Sequence, residues 1–312
     1  PHPGWPGESP EEQRLQDQLE GRDIPQRELS AHARPLRILE RIQNLSPKVD
    51  VERGKYFTES MRQTEGQPLV VRWAKAMYNV AEKITVYIDE DQLLAGRAGA
   101  QGRYGILYPE LDGDFLDLGV KELHKREVSP FTIEDEDAKI IIEEIAPYWK
   151  GKTYHEDLAI ALPDETLKLT YNPEDVMYSR FIVNETSSFR SSLQWVLDFE
   201  KVIKRGFKGI KLEAQEKLRS LDPFSPTDNC EKRPFLEAVV IVCDAVVLWA
   251  HRHAALAKEM AAKETDPQRK KELEDIAERC LHVPENPARN LSTCTSLRPA
   301  APSMKATPTG KL

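Results

Sequence analysis

The chain has 312 residues, 40% hydrophobic and 31% charged, with a formal net charge of −8; that length supports a large core and one or two domains. The acidic balance argues against broad nucleic-acid binding, and the most basic run, 201–211, mixes its lysines and arginines with apolar residues as a solvated helix face does. Four cysteines, at 230, 243, 280 and 294, form no CxxC pair and have no histidine at zinc-finger spacing, which argues against a zinc site or a disulfide framework and fits a reducing cytoplasm.

Residues 1–30 carry Pro1, Pro3, Pro6 and Pro10 and then a short charged helix candidate; partial disorder is expected there. Proline in the first position suggests that the natural start lies upstream. From Pro35 onward Leu36, Ile38, Leu39, Ile42 and Leu45 recur at nearly helical spacing, and Ser46-Pro47 closes the run. A second helix is predicted over 51–63. Pro68 opens a third, over 69–81, with Val70, Trp73, Ala74, Met77 and Val80 on one face.

The texture then changes. Thr85-Val86-Tyr87-Ile88 reads as a helix end or a short strand, and 93–96 as an extended piece. Gly96, Gly99, Gly102 and Gly105 recur every three residues. A phosphate-binding glycine loop needs different spacing and a helix after it, so a structural loop is the better reading. A helix is predicted over 132–145 with Thr132 as its cap and Asp135 three residues on, ended by Pro147-Tyr148-Trp149. A short helix over 154–161, an extended piece over 167–171 and a turn over 173–178 follow.

A long amphipathic helix is predicted over 196–218, bent near Gly206 and Gly209. Pro223, Pro226 and Asp228 mark a loop. The longest helix, 233–263, is apolar nearly all round in its first half, which predicts a place inside a bundle. Glu237 and Asp244 interrupt its apolar core of 236–250, too short and too charged to span a bilayer. Asp266-Pro267 starts a last helix, ended by Pro284-Glu285-Asn286-Pro287. Residues 290–312 are rich in Ser, Thr, Pro, Ala and Lys and are expected to be a disordered tail.

The chemistry is concentrated in Asn184 through Trp195. Arg190 and Gln194 are four residues apart between two aromatics, so on a helix they share one face. A planar guanidinium fork suits a carboxylate, phosphate or sulfonate, and an amide adds a donor and an acceptor. On local pattern alone, an ion-paired arginine beside a surface glutamine is the commoner outcome. His251 and His253 are two apart and cannot chelate one metal. His155, beside Glu156 and Asp157, reads as a surface cap. Cys243 and Asp244 lie on the apolar helix, where a thiol is inert packing. No nucleophile elbow, P-loop or HExxH is present.

Several segments together resemble the N-terminal region of glycyl radical enzymes, the pyruvate formate-lyase superfamily. They are Arg37 through Ile42, Thr58-Glu59-Ser60, Pro68 through Ala76, Gly96 through Glu110 and Gly151 through Tyr154. Phe235 through Ala254, with its Cys243-Asp244-Ala245, and His282 through Arg289 complete the set. The resemblance implies a mainly α fold with few short strands, the helical N-terminal portion of an α/β barrel, over residues 31–289, between the segment 1–30 and the tail 290–312.

Within that family the Arg190 segment is similar to the members that cleave a carbon–sulfur bond of isethionate (2-hydroxyethanesulfonate), releasing acetaldehyde and sulfite. The resemblance implies that Arg190 and Gln194 hold the sulfonate. No bound cofactor is implied. The family uses a protein glycyl radical installed by a radical S-adenosylmethionine activating enzyme, which is the implied partner beside a small anionic sulfonate. Neither nucleic acid nor membrane is implied; the resemblance implies homodimeric full-length members, and the expected setting is the cytoplasm of an anaerobic bacterium or a microcompartment within it.

The family's thiyl loop reads Gly-Cys-x-Glu, and none of the four cysteines here has Glu two residues later. The glycyl loop is not found either, so no catalytic residue is assigned. A truncated or frame-shifted product, inactive alone and exposing helix faces, is expected. Other glycyl radical fragments, formate acetyltransferase-like or diol dehydratase-like, and a non-catalytic helical scaffold are the alternatives.

Overall fold

A computed structural model describes residues 26–96, 104–110, 120, 123–125, 130–153, 160–161, 163–165 and 198–290. The chain divides into two compact units, 1–44 and 45–312. The first contributes helix α1 (Gln26–Asn44), which has Pro35 inside it. The helix therefore starts nine residues before the predicted start at Pro35. A proline removes one ladder hydrogen bond, and here helix-forming residues on both sides carry the turn through. Leu36 and Leu39 remain half exposed.

In the second unit, β1 (Lys48–Asp50) and β2 (Tyr104–Ile106) form a parallel pair, with Lys48 opposite Tyr104 and Asp50 opposite Ile106. Thr132 flanks β1 on its other side. It accepts from Val49 N–H at 2.9 Å, and its own N–H donates to Pro47 O at 2.9 Å. That placement overturns Thr132 as a helix cap, because its backbone and its hydroxyl both serve the segment around Pro47. Gly105 of β2 lies where an added Cβ would stand 2.8 Å from the Phe131 ring. Its lack of a side chain serves packing, while Gly99 and Gly102 lie outside the described residues.

Helix α2 (Glu52–Gln63) follows β1 directly, Asp50 accepting from Glu52 N–H at 3.0 Å. Gly66, at φ +84°, helps turn the chain into α3 (Leu69–Lys83). Three ties clamp the two helices antiparallel. Arg72 donates to Met61 O at 2.7 Å, Asn79 donates to Tyr56 O at 2.7 Å, and Lys83 pairs with Glu59 at 2.8 Å. Residues 85–88 are neither helix nor strand, but Ile84 and Ile88 are buried. Residues 93 and 94 form a bend, and 95 and 96 belong to no strand.

Helix α4 covers 135–149 in three parts: α-helical Asp135–Ile140, π-helical Ile141–Ile145 and α-helical Ala146–Trp149. Pro147 does not stop it. After the wide π turn a new α segment begins, and Pro147 falls in its first turn, where no N–H is needed. Phe57, Met61, Met77, Ile141, Ile145 and Trp149 make the first core. Phe57 meets Trp73 edge-on at 5.2 Å and stacks on Trp149 at 6.1 Å. Thr58 is buried among them, donating to Gly54 O at 2.6 Å and accepting from the Trp149 indole at 2.8 Å.

The second core is built on α6 (Arg233–Lys263), packed by α3, by α5 (Phe199–Arg219) and by α7 (Pro267–His282). Ala238, Ala245, Ala254, Ala257 and Ala261 are buried along α6, so its neighbours approach to methyl contact. Leu273 and Ile276 of α7 close over Ala257 and Ala261. Asp266 caps α7 through Arg269 N–H at 2.9 Å, as its sequence predicts.

The first half of α6 is less enclosed than its apolar circumference suggests. Phe235 is 57% exposed, and Phe224, in the preceding loop, is 91% exposed. Burial follows one stripe along both halves, from Ala238, Cys243 and Ala245 to Ala254, Ala257 and Ala261. Residues 226–232, expected as loop, continue the helix through a π turn, Asp228–Lys232. Over Asp228–Lys263 the helix is long and apolar enough to cross a bilayer by length and composition alone; here it is held by three helices of its own chain.

Candidate functional site

Arg190 and Gln194, the residues that the sequence singles out, lie outside the described residues, as does His155. The described residues show which other charges could meet an anionic ligand. After Gln194 the chain enters α5 through Asp198, which accepts from Lys201 N–H at 3.0 Å and caps the helix.

α5 is two half-helices joined at Gly206, whose φ of +61° and ψ of 171° break the helical path. The expected bend at Gly206 is present, while Gly209 is ordinary helix. The strap 283–288, which begins with a cis Val283-Pro284 bond, lies across the joint. Phe207 and Lys208 N–H donate to Pro284 O and Glu285 O at 2.9 Å each, and Ala288 N–H donates to Ile203 O at 3.0 Å. The second half of α5 is pinned to α6 by Lys211, 2.6 and 2.9 Å from the Asp244 carboxylate. The remaining cations of the basic run are also paired: Lys201 and Arg205 with Glu213, Lys204 with Glu200, Lys208 with Glu285. The run is a salt-bridged helix face and not a phosphate track.

The most organised charge in the described residues is Arg53, on the first turn of α2. Its guanidinium grips Glu110 in a fork, Nη2 to Oε1 at 2.6 Å and Nη1 to Oε2 at 3.1 Å. The two side chains are 3% and 2% exposed. The guanidinium also lies over the Tyr108 ring at 3.9 Å and the Phe57 ring at 4.8 Å. Burial pushes the Tyr108 phenol up, so it stays protonated. Such a fork is chemically fit for a sulfonate, but Glu110 fills it. Arg53 therefore fastens the segment after β2 to α2. Fifty-seven residues separate the partners, so no local motif announces them.

Other half-buried guanidiniums serve the chain's own carbonyls. Arg72 holds Met61 O and the Tyr148 hydroxyl, Arg252 holds Ala81 O, and Arg269 holds Asp89 O and Gln92 O. An open cavity of about 280 Å³ lies between α2 and α4, lined by Lys55, Thr58, Glu59, Arg62, Gln63, Glu144 and Ile145. Its Arg62 donates to Glu144 O, and its Glu59 is held low by the Lys83 ammonium. Among the described residues no group of three or more His, Cys, Asp and Glu is placed to hold a metal. Burial pushes the Cys243 and Cys280 thiols up to about 11, which makes them packing groups and not nucleophiles.

The Pyruvate formate lyase-like family matches residues 28–293. Isethionate sulfite-lyase of Oleidesulfovibrio alaskensis is 65% identical over 282 residues, 90% of this chain and 34% of that protein. Isethionate sulfite-lyase of Bilophila wadsworthia is 59% identical over 283 residues, with the same shares. Among solved structures, the glycerol-bound B12-independent glycerol dehydratase from Clostridium butyricum superposes with a TM-score of 0.75 at 30% identity, covering 87% of this chain and 34% of that one. A glycyl radical enzyme from Archaeoglobus fulgidus gives 0.70 at 30% identity, covering 83% and 32%. The chain thus spans about a third of the length of the relatives it matches. From its helices to its sequence, the chain belongs to the pyruvate formate lyase-like family of glycyl radical enzymes, whose members work through a protein radical.

Proposed function

We propose that this chain supplies the helical N-terminal portion of a barrel-shaped glycyl radical lyase that cleaves isethionate to acetaldehyde and sulfite. The observation that carries the reading is identity of 59% to 65% over 90% of the chain to four isethionate sulfite-lyases. The dehydratase relatives stand at 29% or below. The family portion covers residues 31–289, and a radical S-adenosylmethionine activating enzyme is the partner that installs the radical.

In this reading Arg190 and Gln194 grip the sulfonate. The substrate sulfonate carries one negative charge, and when the carbon–sulfur bond breaks its electron pair leaves on sulfite, which becomes hydrogensulfite on taking up the proton that the hydroxyl gives up. A guanidinium donating to two sulfonate oxygens holds that group through both states, and Gln194 fixes its rotation. The radical supplies the hydrogen abstraction that weakens the bond. This chain's residues hold and orient the anion while that happens. Arg53 cannot substitute, because Glu110 closes its fork.

The test is an activated enzyme carrying this sequence, assayed with isethionate for sulfite and acetaldehyde. Arg190→Ala removes charge-assisted hydrogen bonds worth about 3 kcal/mol, so kcat/KM should fall roughly 100-fold. Arg190→Lys, which keeps the charge and loses the fork, should fall between.

One observation favours a second reading. The (2S)-3-sulfopropanediol dehydratase of Klebsiella oxytoca is 26% identical over 75% of the chain, and its named substrate also bears a sulfonate. An anion grip is therefore compatible with dehydration. An enzyme that leaves isethionate intact and dehydrates a sulfonated or neutral diol would replace the lyase reading.

A further inference from the structure

We propose that Trp249 and His253 hold one internal water molecule between them, a ligand site in the body of the helical core that is independent of the sulfonate chemistry above. The two residues are four apart on α6, so they project from one face of the helix. Their rings meet edge-on, with centroids 4.9 Å apart and planes at 88°. That face packs on α3, where Trp249 joins Ala81, Ile84 and Ala245 in one cluster and Arg252 donates to Ala81 O at 2.8 Å. Trp249 is 4% exposed and His253 1%.

The polarity of the pair follows from one backbone contact. His253 Nδ1 lies 2.9 Å from Trp249 O. A carbonyl oxygen can only accept, so Nδ1 carries the proton. Burial keeps the imidazole neutral, which leaves Nε2 as a bare acceptor. The indole Nε1–H of Trp249 is a donor and nothing else. Both atoms are sealed from bulk solvent, and neither meets a hydrogen-bond partner among the described residues. The buried Trp149 indole, by contrast, is answered by the Thr58 hydroxyl at 2.8 Å. Leaving a buried donor and a buried acceptor unanswered is costly, and folded proteins answer such groups with protein or with water.

A donor and an acceptor in one ring pair are the two halves of a water seat. Water accepts from the indole with its oxygen and donates to Nε2 with a hydrogen, which meets the minimum of two polar partners for an internal water. Bonds of about 2.9 Å let one water join atoms up to nearly 6 Å apart, the scale of this ring pair. The same polarity rejects ions. The Nε2 lone pair repels an anion, and the indole N–H has no lone pair to give a metal. A neutral molecule that both accepts and donates fits, and the enclosure of both nitrogens favours the smallest one.

The test is a crystal structure of the protein carrying this sequence. An ordered water within about 3.2 Å of both Trp249 Nε1 and His253 Nε2 is the expected result. A direct bond between the two nitrogens, a protein group seated on either one, or no density between them overturns the proposal. In solution, with nitrogen-15 tryptophan, the Trp249 indole proton should show cross-relaxation with a bound water, the signal being assigned by its loss in Trp249→Phe. His253→Leu offers no acceptor and should abolish that cross-relaxation; its survival in a folded His253→Leu would mean that the imidazole holds no water, and the proposal fails. If His253→Leu does not fold, the unaltered sequence still decides by its density. None of these readouts depends on isethionate turnover, so failure here leaves the lyase reading untouched, and failure of that reading leaves the water in place.

Discussion

Removing Glu110 tests the buried charge directly. Glu110→Ala leaves the Arg53 guanidinium in a dry site with one long bond to Leu107 O at 3.4 Å and two aromatic faces. Stripping one partner from a buried ion pair costs about 3–5 kcal/mol, since arginine stays charged. The ring faces of Tyr108 and Phe57 return about 1–2 kcal/mol of that, which puts the expected loss near the lower end, about 3 kcal/mol. Replacing both partners, Arg53→Met with Glu110→Leu, removes the stranded charge and should cost less than Glu110→Ala alone. Urea unfolding followed by tryptophan fluorescence and by far-ultraviolet circular dichroism measures both, Trp73 and Trp149 reporting from the adjoining core. A loss below about 1 kcal/mol for Glu110→Ala, or a double variant that costs the sum of the singles, would show that the pair is not the closed, dry clamp described.

His253 is 1% exposed, and burial holds its imidazole below the ordinary 6.5. The unfolded chain therefore binds the extra proton first, so stability should be complete above pH 6.5 and fall as the pH drops below it; His253→Leu should flatten urea midpoints between pH 7 and pH 5. Thiol alkylation followed by mass spectrometry should modify exposed Cys230 well before Cys243 and Cys280 at pH 8, and equal rates would contradict the burial of Cys243 and the half-burial of Cys280. Thr58→Val leaves the Trp149 indole without its acceptor and should cost about 1–3 kcal/mol, read from the same unfolding curves; a neutral result would mean that the indole finds another partner.

The sequence made some features plain because their causes are local. The Asp266 cap, the helix of 233–263 and the break at Gly206 each follow from a few adjacent residues. The features it hid are the long-range ones. Thr132 carries a plausible capping pattern, but pairing with β1 and Pro47 outcompetes it. Pro35 and Pro147 read as helix boundaries, yet one is carried through by its neighbours and the other sits in a fresh first turn. Arg53 and Glu110 meet only through the fold. The anion grip expected of Arg190 and Gln194 falls outside the described residues, while the break at Gly206 is met by a strap almost eighty residues downstream, a pairing that no local pattern announces.

The alanine seam on α6 has a consequence for how this protein can change. Because single methyl groups gauge the spacing of three neighbouring helices, the tolerance of Ala245, Ala254 and Ala257, each fully enclosed, is lopsided. Anything larger acts as a wedge that pushes two cores apart at once, and glycine loosens the rod that both share. Variation on this helix is therefore steered to its outward flank, and a saturation screen should draw the seam as a narrow diagonal track of forbidden bulk.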